Sequence, residues 1–361
     1  MDALLSKLNQ QRRNGKRMIA KDYILRKRED FLHICFNSPG CRYREIGSCT
    51  MCDYGQGTKL TESRLKLILP EIKKAADGMQ SILIGTLGSV LDSAEISLVC
   101  LELICDMLNE LPIRTIIFET HYTMVNDSIC CWLTEHLPKK DIVIEVGLES
   151  VDAFVQEKCL NKAIDLHILE SKIQILHHHG MSITVNAFLG APFLSAAEQL
   201  EDTVKTVQWA FRHMVDSVVI FPANIRTNTL LDLLYQNHLY APVRHWAVFE
   251  LLRRLQADDL GRIYLAWYGD WSDLDENNTK LNFPPCSCEK CAKNWMGFYH
   301  QFLRKPDHTS RKLVLEEYGR ILPSGCECYK EFKKSLEEVS AESREERAGR
   351  IRNWLEDFMY R

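Results

Sequence analysis

Short apolar, β-branched runs recur along the chain at 32–36, 81–87, 115–119, 141–148, 182–189 and 217–222. Their density of Ile, Val, Leu and Phe suits buried strands. Helical spacing fills the stretches between them, as in Ile96, Leu98, Leu101, Leu103, Ile104 and Leu108, or Leu200, Val204, Val207 and Ala210. Strands alternating with helices predict parallel β–α units. Six such units predict an α/β chain folded as a partial (β/α)6 barrel of the TIM type. In parallel barrels the site lies at the C-terminal ends of the strands. A further run, Arg262–Tyr268, adds a strand or caps the barrel.

The two ends depart from this rhythm. Residues 1–30 are polar and basic, with Arg12, Arg13, Lys16, Arg17, Lys21, Arg26, Lys27 and Arg28. They read as a solvated N-terminal helix or arm, with a contact to phosphates as the alternative. The polar stretch Asp270–Asn278 marks a loose boundary, so the partial barrel is assigned to 31–275 and a Cys-rich, helical region to 276–361. From about Ser335 the chain reads as one charged helix, with Leu336, Val339, Ile351, Trp354, Leu355 and Phe358 as its apolar positions.

Composition narrows the class. Over 361 residues, 46% hydrophobic and 26% charged is the balance of a soluble globular enzyme. No apolar run reaches the roughly 18–20 residues that span a bilayer, so no membrane partner is expected. The start lacks the apolar core of a secretory signal, and 14 cysteines without one point to a reducing, cytoplasmic interior. A formal net charge of −4 lacks the basic excess of most nucleic-acid binders, so contact with tRNA needs a local patch or a second protein.

The chemistry centres on Cys41-Arg-Tyr-Arg-Glu-Ile-Gly-Ser-Cys49-Thr-Met-Cys52-Asp-Tyr. Arginines, a glutamate and a glycine separate the thiols, so this is a polar loop. Thiolates this close select zinc or iron–sulfur chemistry, because each needs several deprotonated sulfurs at one point. A structural zinc wants four ligands, and no histidine lies within the loop; the nearest are His33 and His121. Cys35, the only local candidate for a fourth thiolate, ends an apolar run and reads as part of a strand. Three thiolates on a [4Fe–4S] cluster leave one iron open for a cofactor. A closed zinc site and unliganded thiols are the alternatives.

With Gly40 ahead and Tyr54 behind, this loop resembles that of the radical S-adenosylmethionine (SAM) superfamily. Within it, the long first gap and the Cys-Thr-Met-Cys pair are most similar to the radical SAM subunit of the archaeosine synthase family. The resemblance continues in order through Leu87-Gly-Ser-Val-Leu-Asp92, Phe118-Glu-Thr-His121, Glu145-Val-Gly-Leu-Glu-Ser150, Asn161-Lys162 and Phe221-Pro-Ala-Asn224. It implies a [4Fe–4S] cluster on Cys41, Cys49 and Cys52, with SAM on the open iron and a reductant such as flavodoxin or ferredoxin. It also implies Met51 against the adenine, the backbone of Gly88 and Ser89 at the SAM amino group, and Lys162 near the SAM carboxylate. An ordinary strand-to-helix turn, capped by Asp92 or Ser93, and a surface lysine are the alternatives for the last two. The family's reaction implies carbon–nitrogen bond cleavage on a substrate bearing an aminoacyl side chain, either a tRNA nucleoside brought by a partner protein or a smaller molecule. Another radical SAM reaction, such as methylthiolation, rearrangement or peptide modification, and a zinc-stabilised adaptor without catalysis, are the competing expectations.

The residues add candidates of their own. Glu119 closes an apolar strand, where a carboxylate either faces a cavity or is solvated. Glu145 and Glu149 are four apart, which in a strand puts both on one face, suited to a ribose or a substrate amine. Asn186 interrupts an apolar strand and reads as a ribose contact, Asn224 as a weaker one, and His121 as a substrate contact. Glu119, His121 and Glu145 are therefore the candidate catalytic residues. His177, His178 and His179 read as a helix C-terminus rather than a metal site. A second thiol set, Cys286, Cys288, Cys291, Cys326 and Cys328, is spaced like a zinc site in which four of the five suffice. An auxiliary iron–sulfur cluster and free thiols are the alternatives there. Cys100, Cys105, Cys130, Cys131 and Cys159 read as core residues.

Overall fold

A computed structural model describes residues 22–43, 49–53, 57–227, 229–266, 281–283, 287–321, 326–338 and 342–359. Its strands are β1 (Tyr23–Arg28), β2 (Phe31–Phe36), β3 (Ser81–Gly85), β4 (Thr115–Glu119), β5 (Asp141–Glu149), β6 (Ser182–Leu189), β7 (Ser217–Pro222), β8 (Ile225–Arg226), β9 (Ile263–Leu265) and β10 (Leu281–Phe283). An 8-stranded sheet runs in the order β1-β2-β3-β4-β5-β6-β7-β9, and β8 pairs with β10 as a separate ribbon. Every neighbour from β2 onward is parallel. The sheet curls into a half-barrel. The six predicted runs each hold a strand, and within the run Arg262–Tyr268 the residues Ile263–Leu265 extend the sheet as β9, while 267 and 268 lie outside the described residues.

One edge departs from expectation. Polarity assigned Tyr23–Arg28 to a basic extension, whereas the structure pairs it antiparallel with β2. Ile24 and Arg26 are buried in alternation with less covered neighbours. An inward-turned charge on an edge strand is a known way to blunt it, and it hides the period-2 signal in the sequence. Residues 1–21 lie outside the described residues.

The crossovers are α1 (Glu62–Ala75), α2 (Leu98–Glu110), α3 (Asp127–His136), α4 (Leu166–His178) and α5 (Ala196–Arg212). Each begins where Thr61, Ser97, Asn126, Asp165 or Ser195 accepts a hydrogen bond from the backbone N–H three residues on. Ser97 caps α2, so the expected cap at Asp92 or Ser93 is not used. Alternate strand residues, among them Leu32, Ile34, Phe36, Ile82, Ile84, Ile116, Phe118 and Val146, are buried in one core with the helices. The intervening positions, including His33, Cys35, Gly85, Glu119, Glu145 and Asn186, line the inside of the half-barrel. Cys100, Cys105, Cys130 and Cys159 are buried as expected, but Cys131 is exposed on the far side of α3.

Beyond the barrel follow α6 (Leu230–Gln236), α7 (His245–Arg254), α8 (Glu289–Arg304), α9 (His308–Ile321), α10 (Glu327–Glu337) and α11 (Arg344–Met359). Trp295, Phe298, Tyr299 and Phe302 of α8 are buried, and the Phe249 and Phe298 rings meet edge-on at 5.3 Å. Arg311 of α9 is buried and donates to the carbonyls of Leu260 at 2.7 Å and Ile263 at 2.6 Å, which ties this layer to the β9 edge. The expected single terminal helix is two helices. Ser343 and Glu346 form a reciprocal cap that starts α11 afresh. Leu336 therefore belongs to α10, Ile351 and Leu355 are buried on α11, Phe358 is exposed, and Val339 lies outside the described residues. No helix among the described residues is long and apolar enough to cross a membrane.

Phe118 sits fully buried between the sheet and its helices. Phe118→Ala should lower stability by about 3–5 kcal/mol, read from the denaturant midpoint at unchanged slope.

Candidate active site and metal centre

The cysteine loop crosses the C-terminal mouth of the half-barrel and is tied down at every described turn. The Cys41 amide donates to the Leu87 carbonyl at 3.2 Å, just past the end of β3. Gly88 makes this approach feasible, since a Cβ there would lie 2.5 Å from the Cys41 nitrogen. Arg42 is ion-paired with the buried Asp92. Tyr43 donates to the Asn161 carbonyl at 2.7 Å, and Thr50 donates to Leu160 and Cys159 carbonyls at 3.0 and 2.9 Å. The Thr50 carbonyl accepts from Leu230 at 3.0 Å, and Asp53 pairs with Arg226 at 2.8 Å. Residues 44–48 and Tyr54 lie outside the described residues.

Cys159 and Leu160 belong to a π-helix, Val155–Leu160, that ends at Asn161 with a left-handed φ of 50°. Such a turn is uncommon and tends to mark functional sites. It delivers Lys162 to the inside of β5, where Nζ donates to Glu149 Oε1 at 2.9 Å and to the Gly147 carbonyl at 2.8 Å. A Cβ on Gly147 would lie 2.7 Å from Nζ, so the strand is hollowed for this lysine. Burial opposes its charge, but Glu149 and the Cys49 and Cys41 thiols outweigh burial and raise its pKa. Lys162 is thus a largely covered, partly buried cation beside the cysteine loop.

Cys41, Cys49 and Cys52 are half-buried. Burial raises the Cys49 thiol above its ordinary value, Lys162 draws it back, and Cys52, Glu149 and Cys41 add to the rise. Cys35 is buried on the inner face of β2, pushed up to about 12 by burial and then by Glu119, and so stays a neutral thiol. Three thiols against one cation, with Cys35 excluded, fit a cluster with one iron left open better than a closed four-ligand zinc.

Inside the half-barrel, Glu119 of β4 is the direct register partner of Glu145 of β5. Gly85 of β3 leaves room for it, since a Cβ there would lie 2.7 Å from Glu119 Oε2. Burial and then Glu145 push Glu119 up to about 8. Burial pushes Glu145 up to about 7, against a hydrogen bond from Asn186. Glu149 does not simply continue this row. The register shifts after Gly147 and Glu149 adopts a φ of 66°, so the even spacing is broken and Glu149 engages Lys162.

The remaining expected positions are distributed around the mouth. Ser89 is buried, with its amide on Glu95 Oε1 at 2.7 Å and its hydroxyl 2.5 Å from that of Thr120. His121 caps a short 3-10 turn at the end of β4, and burial with Lys162 lowers its pKa to about 4. Met51 packs half-buried on the main core. Asn186 and Asn224 each have a buried Oδ1 with no partner among the described residues. Glu95 was not anticipated. It accepts from Ser38 at 2.7 Å and Thr86 at 2.8 Å as well as Ser89, tying together the ends of β2 and β3 beneath Cys41. Its only trace in the sequence is the hydroxyl residue that follows each strand. His177 and His179 end α4 and meet Asp216 and Asp127, each at 3.0 Å.

Far from the mouth, the sulfurs of Cys288, Cys291, Cys326 and Cys328 lie within 4.8 Å of one another. Cys288 and Cys326 are the caps of α8 and α10, and Trp246 of α7 donates to Cys328 Sγ at 3.3 Å. Tetrahedral zinc at about 2.3 Å spaces its sulfurs by just under about 4 Å, whereas the corners of an iron–sulfur cube are farther apart. The set therefore fits zinc. Cys286 lies outside the described residues.

No protein-family model matches the chain. It is 25% identical over 232 residues to archaeosine synthase subunit beta of Methanosarcina acetivorans, covering 63% of this chain and 67% of that relative. It is 25% identical over 241 residues to the same subunit of Thermococcus kodakarensis, covering 64% and 74%. Among solved structures, queuine lyase from Clostridium spiroforme has a TM-score of 0.43 at 17% identity over 60% of this chain and 90% of that one. Methylornithine synthase has 0.48 at 13% identity over 92% of both chains. With TM-scores this low, the structural likenesses add nothing to the sequence relatives and the cysteine loop. The two archaeal subunits are what the sequence of the chain is similar to.

The Glu119–Glu145 pair predicts a pH dependence. The folded chain holds protons at about 8 and about 7 that the unfolded chain releases near the ordinary value of 4.5. The pair's destabilisation is therefore absent below about pH 4.5 and grows as pH rises toward about 8. Urea midpoints should fall over that range in the wild type and fall less steeply in Glu119→Gln; parallel curves would refute the coupling of the two carboxylates.

Proposed function

We propose that the chain uses SAM-derived radical chemistry to abstract a hydrogen atom from a substrate held inside the half-barrel. The outcome we favour is carbon–nitrogen bond cleavage, on a tRNA nucleoside as in archaeosine formation or on a related small molecule. The carrying observation is the cysteine loop fastened over the mouth with Lys162 half-buried beside it. Cys41, Cys49 and Cys52 would hold a [4Fe–4S] cluster with an iron open to SAM. When bound, cluster and SAM supply a one-electron carbon–sulfur cleavage that yields methionine and a 5′-deoxyadenosyl radical.

The chain's own residues hold and orient. Lys162, fixed by Glu149, offers a positive charge to the SAM carboxylate, and Met51 offers an apolar surface to the adenine. Asn224, with its buried Oδ1, is a further polar contact. His121, neutral at ordinary pH, stands ready at the end of β4 to hydrogen-bond the substrate. The enclosing strands exclude water from a reactive intermediate. A reductant such as flavodoxin or ferredoxin in the cytoplasm, and a partner that delivers tRNA to this acidic chain, complete the reading. In the C-terminal layer, Cys288, Cys291, Cys326 and Cys328 hold a structural zinc.

Two measurements test it. Anaerobically reconstituted, dithionite-reduced protein should give a [4Fe–4S] paramagnetic resonance signal that shifts with SAM and disappears in Cys49→Ala, together with 5′-deoxyadenosine. Zinc in the first site and no iron would replace this reading with an adaptor. Separately, about one zinc per chain should survive gel filtration. Cys291→Ser should lose that zinc and lower the melting temperature while leaving the signal at the first site; iron in its place would make the second site a cluster.

A further inference from the structure

The interior pair is left incompletely balanced. Glu119 and Glu145 are side by side in register, and the nearby cation Lys162 is committed to Glu149 and the Gly147 carbonyl. Arg26, on the antiparallel edge strand, draws on Glu119 electrostatically while its own Nε is buried without a partner. Next to Glu145, Asn186 is 7% exposed and donates to the carboxylate, yet its Oδ1 is buried and unpartnered. Gly85 keeps a side chain away from Glu119, where a Cβ would lie 2.7 Å from Oε2.

What would fill it follows from charge and donor count. A hydroxyl would leave two carboxylates facing each other. Two carboxylates and one amide oxygen fall short of the roughly six to eight oxygens that a calcium ion takes. A primary ammonium brings one positive charge and three N–H donors, matching two carboxylates and one amide oxygen. We propose that Glu119, Glu145 and Asn186 bind a protonated primary amine of the substrate, one N–H to each. The assignment of this amine to the substrate rests on the function proposed above.

In the free protein the pair retains a proton near neutrality, so the ammonium replaces it and one proton leaves for solvent. Arg26, His33, Glu95 and Glu149 face the pair from the neighbouring elements and tune this exchange. The SAM-loaded holoprotein should be titrated calorimetrically with n-butylammonium and with n-butanol in two buffers of different ionisation enthalpy. The amine should bind, release up to about one proton near pH 7, and bind more tightly at about pH 8 than at about pH 6; the alcohol should not compete. Glu145→Gln and Glu119→Gln should each weaken amine binding by about tenfold or more, with melting temperature checked alongside.

Equal binding of amine and alcohol, or amine affinity unchanged by both pH and substitution, would overturn the site. The wild-type comparison needs no variant, so misfolding cannot mask the result. Assaying 5′-deoxyadenosine in the same preparations separates the two readings. SAM cleavage without amine selectivity ends this inference alone. Amine selectivity without SAM cleavage leaves the site standing and removes the proposed function.

Discussion

The missing side chain at Gly88 is the constraint on which the rest of the site depends. Only without a Cβ can the backbone at Cys41 lie on the end of β3 and donate to Leu87. From that fixed point the loop reaches Asp92 through Arg42, the π-helix through Tyr43 and Thr50, and β8 through Asp53. The buried Glu95 stiffens the same corner by accepting three hydrogen bonds from residues that follow β2 and β3. Such over-determined anchoring fixes the backbone that carries the three thiols of the loop.

A second consequence runs through the π-helix. Because it both supports Thr50 and delivers Lys162, the positions of the thiols and of this cation are coupled. Gly147 and the left-handed Glu149 make the space that coupling needs. The carboxylate that would have continued the inner row of β5 is thereby diverted to Lys162, and Glu119 and Glu145 remain as the pair in register. One strand thus serves two regions, a cationic one at the mouth and an anionic one deeper in the half-barrel.

The C-terminal layer closes the open edge of the sheet. Arg311 satisfies carbonyls around β9, and the aromatic residues of α8 pack against α7. The thiol quartet joins the starts of α8 and α10 beside Trp246 of α7, so a metal there would brace three helices.

Much of this was legible in the chain. Period and composition marked the parallel strands because each is buried between helices and interior, and short β-branched runs have few other uses. Cysteine spacing singled out both thiol sets, of which Cys288, Cys291, Cys326 and Cys328 converge in the structure. The sequence misread Tyr23–Arg28, where charges on an edge strand mask alternation, and it joined α10 to α11 because one apolar period continues across a cap. What only the tertiary structure decided are the relations between residues far apart in the chain. Glu119 meets Glu145 through strand register, Lys162 reaches Glu149 through a bulge and a π-turn, and Glu95 finds the ends of two strands. Local sequence determines which elements form, but burial, charge balance and register are properties of the assembled sheet, and those assign the side chains their partners.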